Sequence, residues 1–208
     1  MKKNVTLSLA IFTWIVLITQ LSIIGIIKGF TGDSFFEAFI NFLSFFPVET
    51  NLAVAMILTV PMVVKSGSVY DFFVSNGVRA MVVVYSFMVV MIFDLVLQDL
   101  WEAEGMQFLL NYLMHKAIPI FYIIYWFNDR PRAHLKYSFS IPWLIAPVIY
   151  LTATLTRGHL TGYYPYPFID VDRIGMATVL YNSVGMLFLF WLASILLIWI
   201  DRRGKGTS

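Results

Sequence analysis

The run NYLMHKAIPIFYIIYWF, residues 111–127, is apolar enough to lie in a bilayer, yet it holds Asn111, His115 and Lys116. An ionisable group at the centre of a membrane helix costs about 2.5–3.5 kcal/mol on insertion scales, so such groups face a cavity or a partner. Neutral imidazole takes up a proton near pH 7, which makes His115 a candidate general base. The alternative is a structural ring, held by Asn111 one turn earlier or by an acidic residue of the third span. Lys116 follows about 100° further round the helix. It either recognises a lipid carboxylate or phosphate, snorkels to the headgroups, or pairs with Asp94 or Asp99. His115, His134 and His159 are too scattered to suggest a metal site, and no motif points to a cofactor.

A second group lies in PVETNLAVA, where Glu49, Thr50 and Asn51 follow Pro47. A helix starting there offers N–H groups to an oxyanion, and Thr50 becomes a nucleophile if a base is in reach. Thr and Asn in such places also cap helices and bond across membrane helices. The third group is HLTGYYPYPFIDVDRIG, residues 159–175, preceded by Arg157. Pro165 and Pro167 forbid a regular helix. Tyr163, Tyr164, Tyr166 and Phe168 supply an aromatic slab ahead of Asp170, as an interfacial belt or as a lid over a cavity.

The elements that must position these groups are membrane spans. The 208 residues are 60% hydrophobic and 12% charged, about half the roughly 25% charge of a soluble domain. Mean hydropathy is +0.80. The absence of cysteine excludes disulfides, thiolate nucleophiles and cysteine-ligated metals, and a net charge of +2 leaves no footprint for nucleic acid. Runs of about 20 apolar residues predict six spans near 5–27, 48–65, 78–98, 108–127, 139–156 and 175–200. The fold class is all-α: a polytopic six-transmembrane-helix bundle forming a single integral membrane domain, 1–208. Residues 34–47, SFFEAFINFLSFFP, read as an interfacial helix leading into the second span. The basic start runs into an apolar stretch too long for a signal core, so it reads as a retained first span.

Lys2, Lys3, Lys65, Arg79, Arg130, Arg132, Lys136, Arg202, Arg203 and Lys205 flank one side of this arrangement, against Lys28, Arg157 and Arg173 on the other. The bias predicts cytoplasmic termini in a plasma membrane. Thr50, Asn51, Asp94, Asp99, His115, Arg157 and Asp170 then gather toward the outer half, with His115 about 10 Å below the start of its span. The cytoplasmic half is expected to hold few buried polar groups, with Gln20 near the middle. A cavity opening outward follows.

Taken in order, Thr50-Asn51, His115 with Pro119, Pro142-Trp143 with Pro147 and Tyr150, Arg157-Gly158, and TGYYPYPFID leading to Gly175 resemble a known family. It is the prokaryotic branch of the androgen-induced-gene-one family, whose eukaryotic members include the androgen-dependent TFPI-regulating protein. The resemblance spans essentially the whole chain, and YPYPF with its aspartate is its most specific part. It implies a six-span hydrolase of fatty acid esters of hydroxy fatty acids, using a threonine near the second span and a histidine in a later one. Those roles map onto Thr50 and His115. Where relatives carry Phe-Thr this chain has Phe46-Pro47, leaving Thr50 as the hydroxyl.

On this reading His115 takes the proton of Thr50 as its oxygen attacks an ester carbonyl. Asn51 or helix-start N–H groups hold the oxyanion, and Asp94 or Asp99 orients the imidazole. Asn111, Lys116, Arg157, Tyr163, Tyr166 and Asp170 meet a fatty acid ester arriving from the bilayer. The rival is a non-catalytic membrane protein that binds or transports an acidic lipid through His115, Lys116 and Arg157. Hydrolysis requires Thr50 and His115 within hydrogen-bonding reach, about 2.6–3.2 Å or somewhat looser without substrate, and binding is indifferent to that distance.

Overall fold

The computed structural model describes residues 2–30, 32, 34–98, 104–130 and 135–203. Six helices are long and apolar enough to cross a membrane, over Lys3–Phe30, Phe46–Val63, Asn76–Leu97, Gly105–Asp129, Tyr137–Thr161 and Met176–Arg203. The chain is an all-α integral membrane protein. Its packing divides into two compact units, residues 1–131 and 132–208.

In the first unit, α1 (Lys2–Phe30) buries a stripe of Leu9, Ala10, Thr13, Val16, Leu17 and Gln20, the i, i+3, i+4 spacing of one helix face. Within the helix, Thr13 donates to the Leu9 carbonyl and Ser22 to that of Ile18, each at 2.8 Å. The Trp14 indole donates to Thr59 Oγ1 at 3.0 Å, joining α1 to α3 (Phe46–Val63). Between them lies a short helix, α2 (Phe35–Leu43), started by a reciprocal cap in which Ser34 and Glu37 satisfy each other's backbone N–H. Pro47 does not precede α3. It sits in the first turn, where a missing N–H costs nothing. Pro61 lies near the other end, and Lys65 Nζ closes that terminus on the carbonyls of Pro61 and Met62 at 2.9 and 2.6 Å.

A short helix unforeseen in the sequence, α4 (Ser68–Val74), leads to α5 (Asn76–Ile92), which ends in a π turn over Phe93–Leu97. The fourth span has three parts: α6 (Gly105–Tyr112), a second π turn (Leu113–Ala117) and α7 (Ile118–Asp129). Because it starts at Gly105, His115 lies about 15 Å along the span, deeper than expected. The end of the unit expected to hold few buried polar groups carries a network. Arg79 pairs with Asp129 at 2.8 Å, and Tyr125 donates to the same carboxylate at 3.3 Å. Thr6 donates to the Tyr125 hydroxyl at 3.2 Å, and Tyr122 to the Arg79 carbonyl at 3.0 Å.

The second unit opens with single 3-10 turns at Tyr137–Phe139 and Pro142–Leu144, where Pro142 and Pro147 delay the α-helix. α8 (Ile145–Thr161) follows and ends at left-handed Gly162. The chain then runs through YPYP without regular structure to a 3-10 turn at Pro167–Ile169, as its prolines require. The single turn α9 (Val171–Ile174) and the long α10 (Met176–Arg203) complete the unit. Asn182 holds the proline segment by donating to the Phe168 carbonyl at 2.9 Å.

Candidate functional site

The site in the first unit begins with Pro119. It has no N–H to give, and its ring crowds the carbonyl four residues back, that of His115. The helix responds by widening, and Ile118 N–H donates five residues back to Leu113. The Met114 carbonyl therefore loses both donors that a helix would supply, since Ile118 is committed to Leu113 and Pro119 has nothing to offer. Asn51 Nδ2 takes their place at 2.9 Å, reaching across from α3 to the residue before His115. Asn51 is wholly buried. It is thus fixed against the backbone that carries the histidine.

His115 is also buried. Its Nδ1 lies 2.8 Å from the Asn111 carbonyl, which can only accept. Nδ1 is therefore the protonated nitrogen of the neutral ring, and Nε2 holds the basic lone pair. Phe93, the first residue of the other π turn, stacks on the imidazole with centroids 4.5 Å apart at 28°. Asp94 does not meet the imidazole through its carboxylate. It pairs with Lys116 at 2.7 Å, and Lys116 also donates to Gln98 at 3.2 Å. The Lys116 ammonium lies 5.5 and 5.9 Å from the Phe93 and Tyr112 ring centres. The two π turns thus join by a ring stack and an ion pair in adjacent residues. π turns are rare and concentrate where function demands an irregular helix.

Of the other expected residues, Asn111 contributes its backbone carbonyl to His115, while its side chain accepts from Gln107 at 3.3 Å. Asp99 and His134 lie outside the described residues. Thr50 is 2% exposed, and among the described residues its hydroxyl has no hydrogen-bond partner, so a bond to His115 is not formed. Asn51 Oδ1 is likewise buried and partnerless. The helix-start amides expected to hold an oxyanion are occupied: Pro47 has none, and those of Val48 and Glu49 both go to the Phe45 carbonyl. Asn51 Nδ2 uses one hydrogen on the Met114 carbonyl and carries a second. Gln20 Oε1 and Ser86 Oγ are also buried without partners. Ser86 gave no sequence signal, since a serine inside a span usually bonds to its own helix.

In the second unit, the Arg157 guanidinium stacks over Tyr163 at 4.5 Å. The Tyr166 and Phe168 rings lie parallel 5.1 Å apart, and Asp170 caps α9 by accepting from Arg173 N–H at 3.0 Å. The bare Gly158 backbone is covered by the Tyr164 ring. These contacts brace the proline segment. Comparison with protein-family models, with curated proteins and with solved structures finds no match. A buried threonine hydroxyl, an imidazole with Nε2 as its base and an apolar surround are the parts needed for acyl transfer.

Proposed function

We propose that the protein is a membrane-embedded lipid esterase of the androgen-induced-gene-one kind, hydrolysing fatty acid esters of the hydroxy fatty acid type. The observation that carries this reading is the Thr50 hydroxyl. It is buried without a partner beside Asn51, whose amide grips the backbone next to His115. A buried polar group left unsatisfied costs about 1–3 kcal/mol, and groups kept at that cost need a reason such as catalysis.

In the proposed reaction His115 Nε2 removes the Thr50 proton as Oγ1 attacks the ester carbonyl. The tetrahedral intermediate collapses by breaking its bond to the alcohol oxygen, which leaves with the proton from Nε2. Water then attacks the acyl-threonine and gives Nε2 its proton, which returns to Thr50 as the acid departs. Asn51 Nδ2 is the oxyanion donor. The substrate arrives laterally from the bilayer of a prokaryotic plasma membrane, with both termini cytoplasmic. The lack of a formed Thr50–His115 hydrogen bond favours the second reading, a non-catalytic protein that binds or transports an acidic lipid.

Fatty ester hydrolysis by wild type, Thr50→Ala and His115→Ala in matched detergent tests the reading, with thermal melting to confirm folding. The expected result is turnover by wild type and its loss in both folded variants. Inert wild type that binds fatty acid selects the second reading. Activity surviving Thr50→Ala alone makes a histidine-activated water the nucleophile.

A further inference from the structure

The second unit carries a basic cluster built around one residue. Leu135 N–H donates to the Asp201 carboxylate at 2.9 Å, and the Leu135 carbonyl accepts from Arg202 Nη1 at 3.3 Å. Asp201 is 0% exposed. Consecutive residues at the end of α10 therefore clasp both polar groups of a single peptide residue. This brings Lys136, the next residue, to the same place as Arg202 and Arg203. The Arg202 guanidinium lies 5.4 Å from the Tyr137 ring centre, and that of Arg203 lies 4.1 Å from Trp199. Lys136, Arg202 and Arg203 are all exposed, and among the described residues none has a carboxylate in ion-pair reach.

Beside these cations the surface turns abruptly apolar. Tyr137, Ile141, Leu196, Trp199 and Ile200 are exposed, as suits side chains facing acyl chains, with Tyr and Trp at headgroup level. Three cations at that boundary complement a phosphate whose acyl chains lie along the exposed apolar side chains. A soluble anion would use the charges but leave that apolar surface uncovered.

We propose that Lys136, Arg202 and Arg203 form a binding site for the headgroup phosphate of an anionic phospholipid, held in shape by the Asp201–Leu135–Arg202 clasp. Each cation near an anionic headgroup strengthens the attraction about fivefold. The Lys136→Gln, Arg203→Gln double variant leaves the clasp untouched and should weaken the site about 25-fold on the same scale.

The test is native mass spectrometry of the full chain in detergent, with phosphatidylglycerol and phosphatidylcholine of equal chain length and concentration. The expected result is preferential retention of phosphatidylglycerol by wild type, lost in the double variant with unaltered melting and phosphatidylcholine retention. Equal retention of the two lipids by wild type overturns the proposal, as does a preference unchanged by the substitutions. Displacement of the lipid by inorganic phosphate at the same concentration also overturns it, since that marks a site for a soluble anion.

Discussion

Replacing Asn51 by Leu tests whether Pro119 leaves the Met114 carbonyl without a helical donor and Asn51 supplies one. The substitution keeps the side-chain volume roughly constant and removes the 2.9 Å bond to Met114. A buried carbonyl without a donor costs about 1–3 kcal/mol. The substitution also deletes the partnerless Oδ1, which relieves a penalty of similar size, so the single variant alone is a poor measure. The informative background is Pro119→Ala, which returns an N–H to the ladder. There the Met114 carbonyl has a donor of its own, and the loss of Asn51 costs it nothing. The Oδ1 relief is the same in both backgrounds and cancels in the cycle. What remains is a coupling of about 1–3 kcal/mol, the carbonyl penalty alone. It is read from equilibrium unfolding of the four proteins in matched detergent mixtures. A coupling below about 0.5 kcal/mol, the usual scatter of independent sites, refutes the link between proline, carbonyl and amide.

Other perturbations probe neighbouring contacts. Pro119→Ala should let Leu113–Ala117 relax to α-helix and turn His115 by about 100° relative to α7. If the esterase reading holds, ester turnover should then fall about 100-fold, the cost of displaced catalytic groups, in a protein that still melts cooperatively. The Asp94 and Lys116 side chains pair within membrane-spanning segments, so removing one partner strands the other's charge and should cost about 2.5–3.5 kcal/mol by chemical unfolding. Asp94→Lys with Lys116→Asp should recover both that stability and turnover. Recovery of stability without turnover would show that Lys116 meets an anionic substrate. Gly158→Ala would place a methyl group within the Tyr164 ring, costing about 1–3 kcal/mol by overpacking. Adding Tyr164→Ser should restore the melting temperature, and failure to do so removes the ring as the cause.

The spans were legible because hydropathy alone marks twenty-residue apolar runs, and their observed ends differ by a few residues wherever capping decides. Pro47 shows the limit: sequence marks a helix boundary near it but not that Phe46 already belongs to α3. The π turns leave little mark in the sequence, because one extra residue scarcely disturbs an apolar period; Pro119 is a visible cue to Leu113–Ala117 alone. Asp94 had two plausible partners, His115 and Lys116. These differ by about 100° of helix rotation, and only packing fixes rotation. The Arg79–Asp129–Tyr125–Thr6 network joins residues as many as 119 positions apart, a separation across which local pattern carries no information. The bond from Asn51 to Met114 was beyond reach for the same reason, because its acceptor is backbone and leaves no trace in side-chain type.

The paired π turns also bear on how such a chain can change length over generations. A π turn behaves as an α-helix carrying one inserted residue. Deleting one residue from Phe93–Leu97 would convert the turn to α-helix without rotating the rest of that span, but would disturb the contacts made within the turn itself, Phe93 with His115 and Asp94 with Lys116. Deletion within Leu113–Ala117 alone would do the same from the other side. A single-residue gap at either place therefore leaves the flanking helix in register and is felt only where the two turns meet. The third and fourth spans can each lose that residue without re-registering the helices around it, at the expense of the ring stack and ion pair that join the turns.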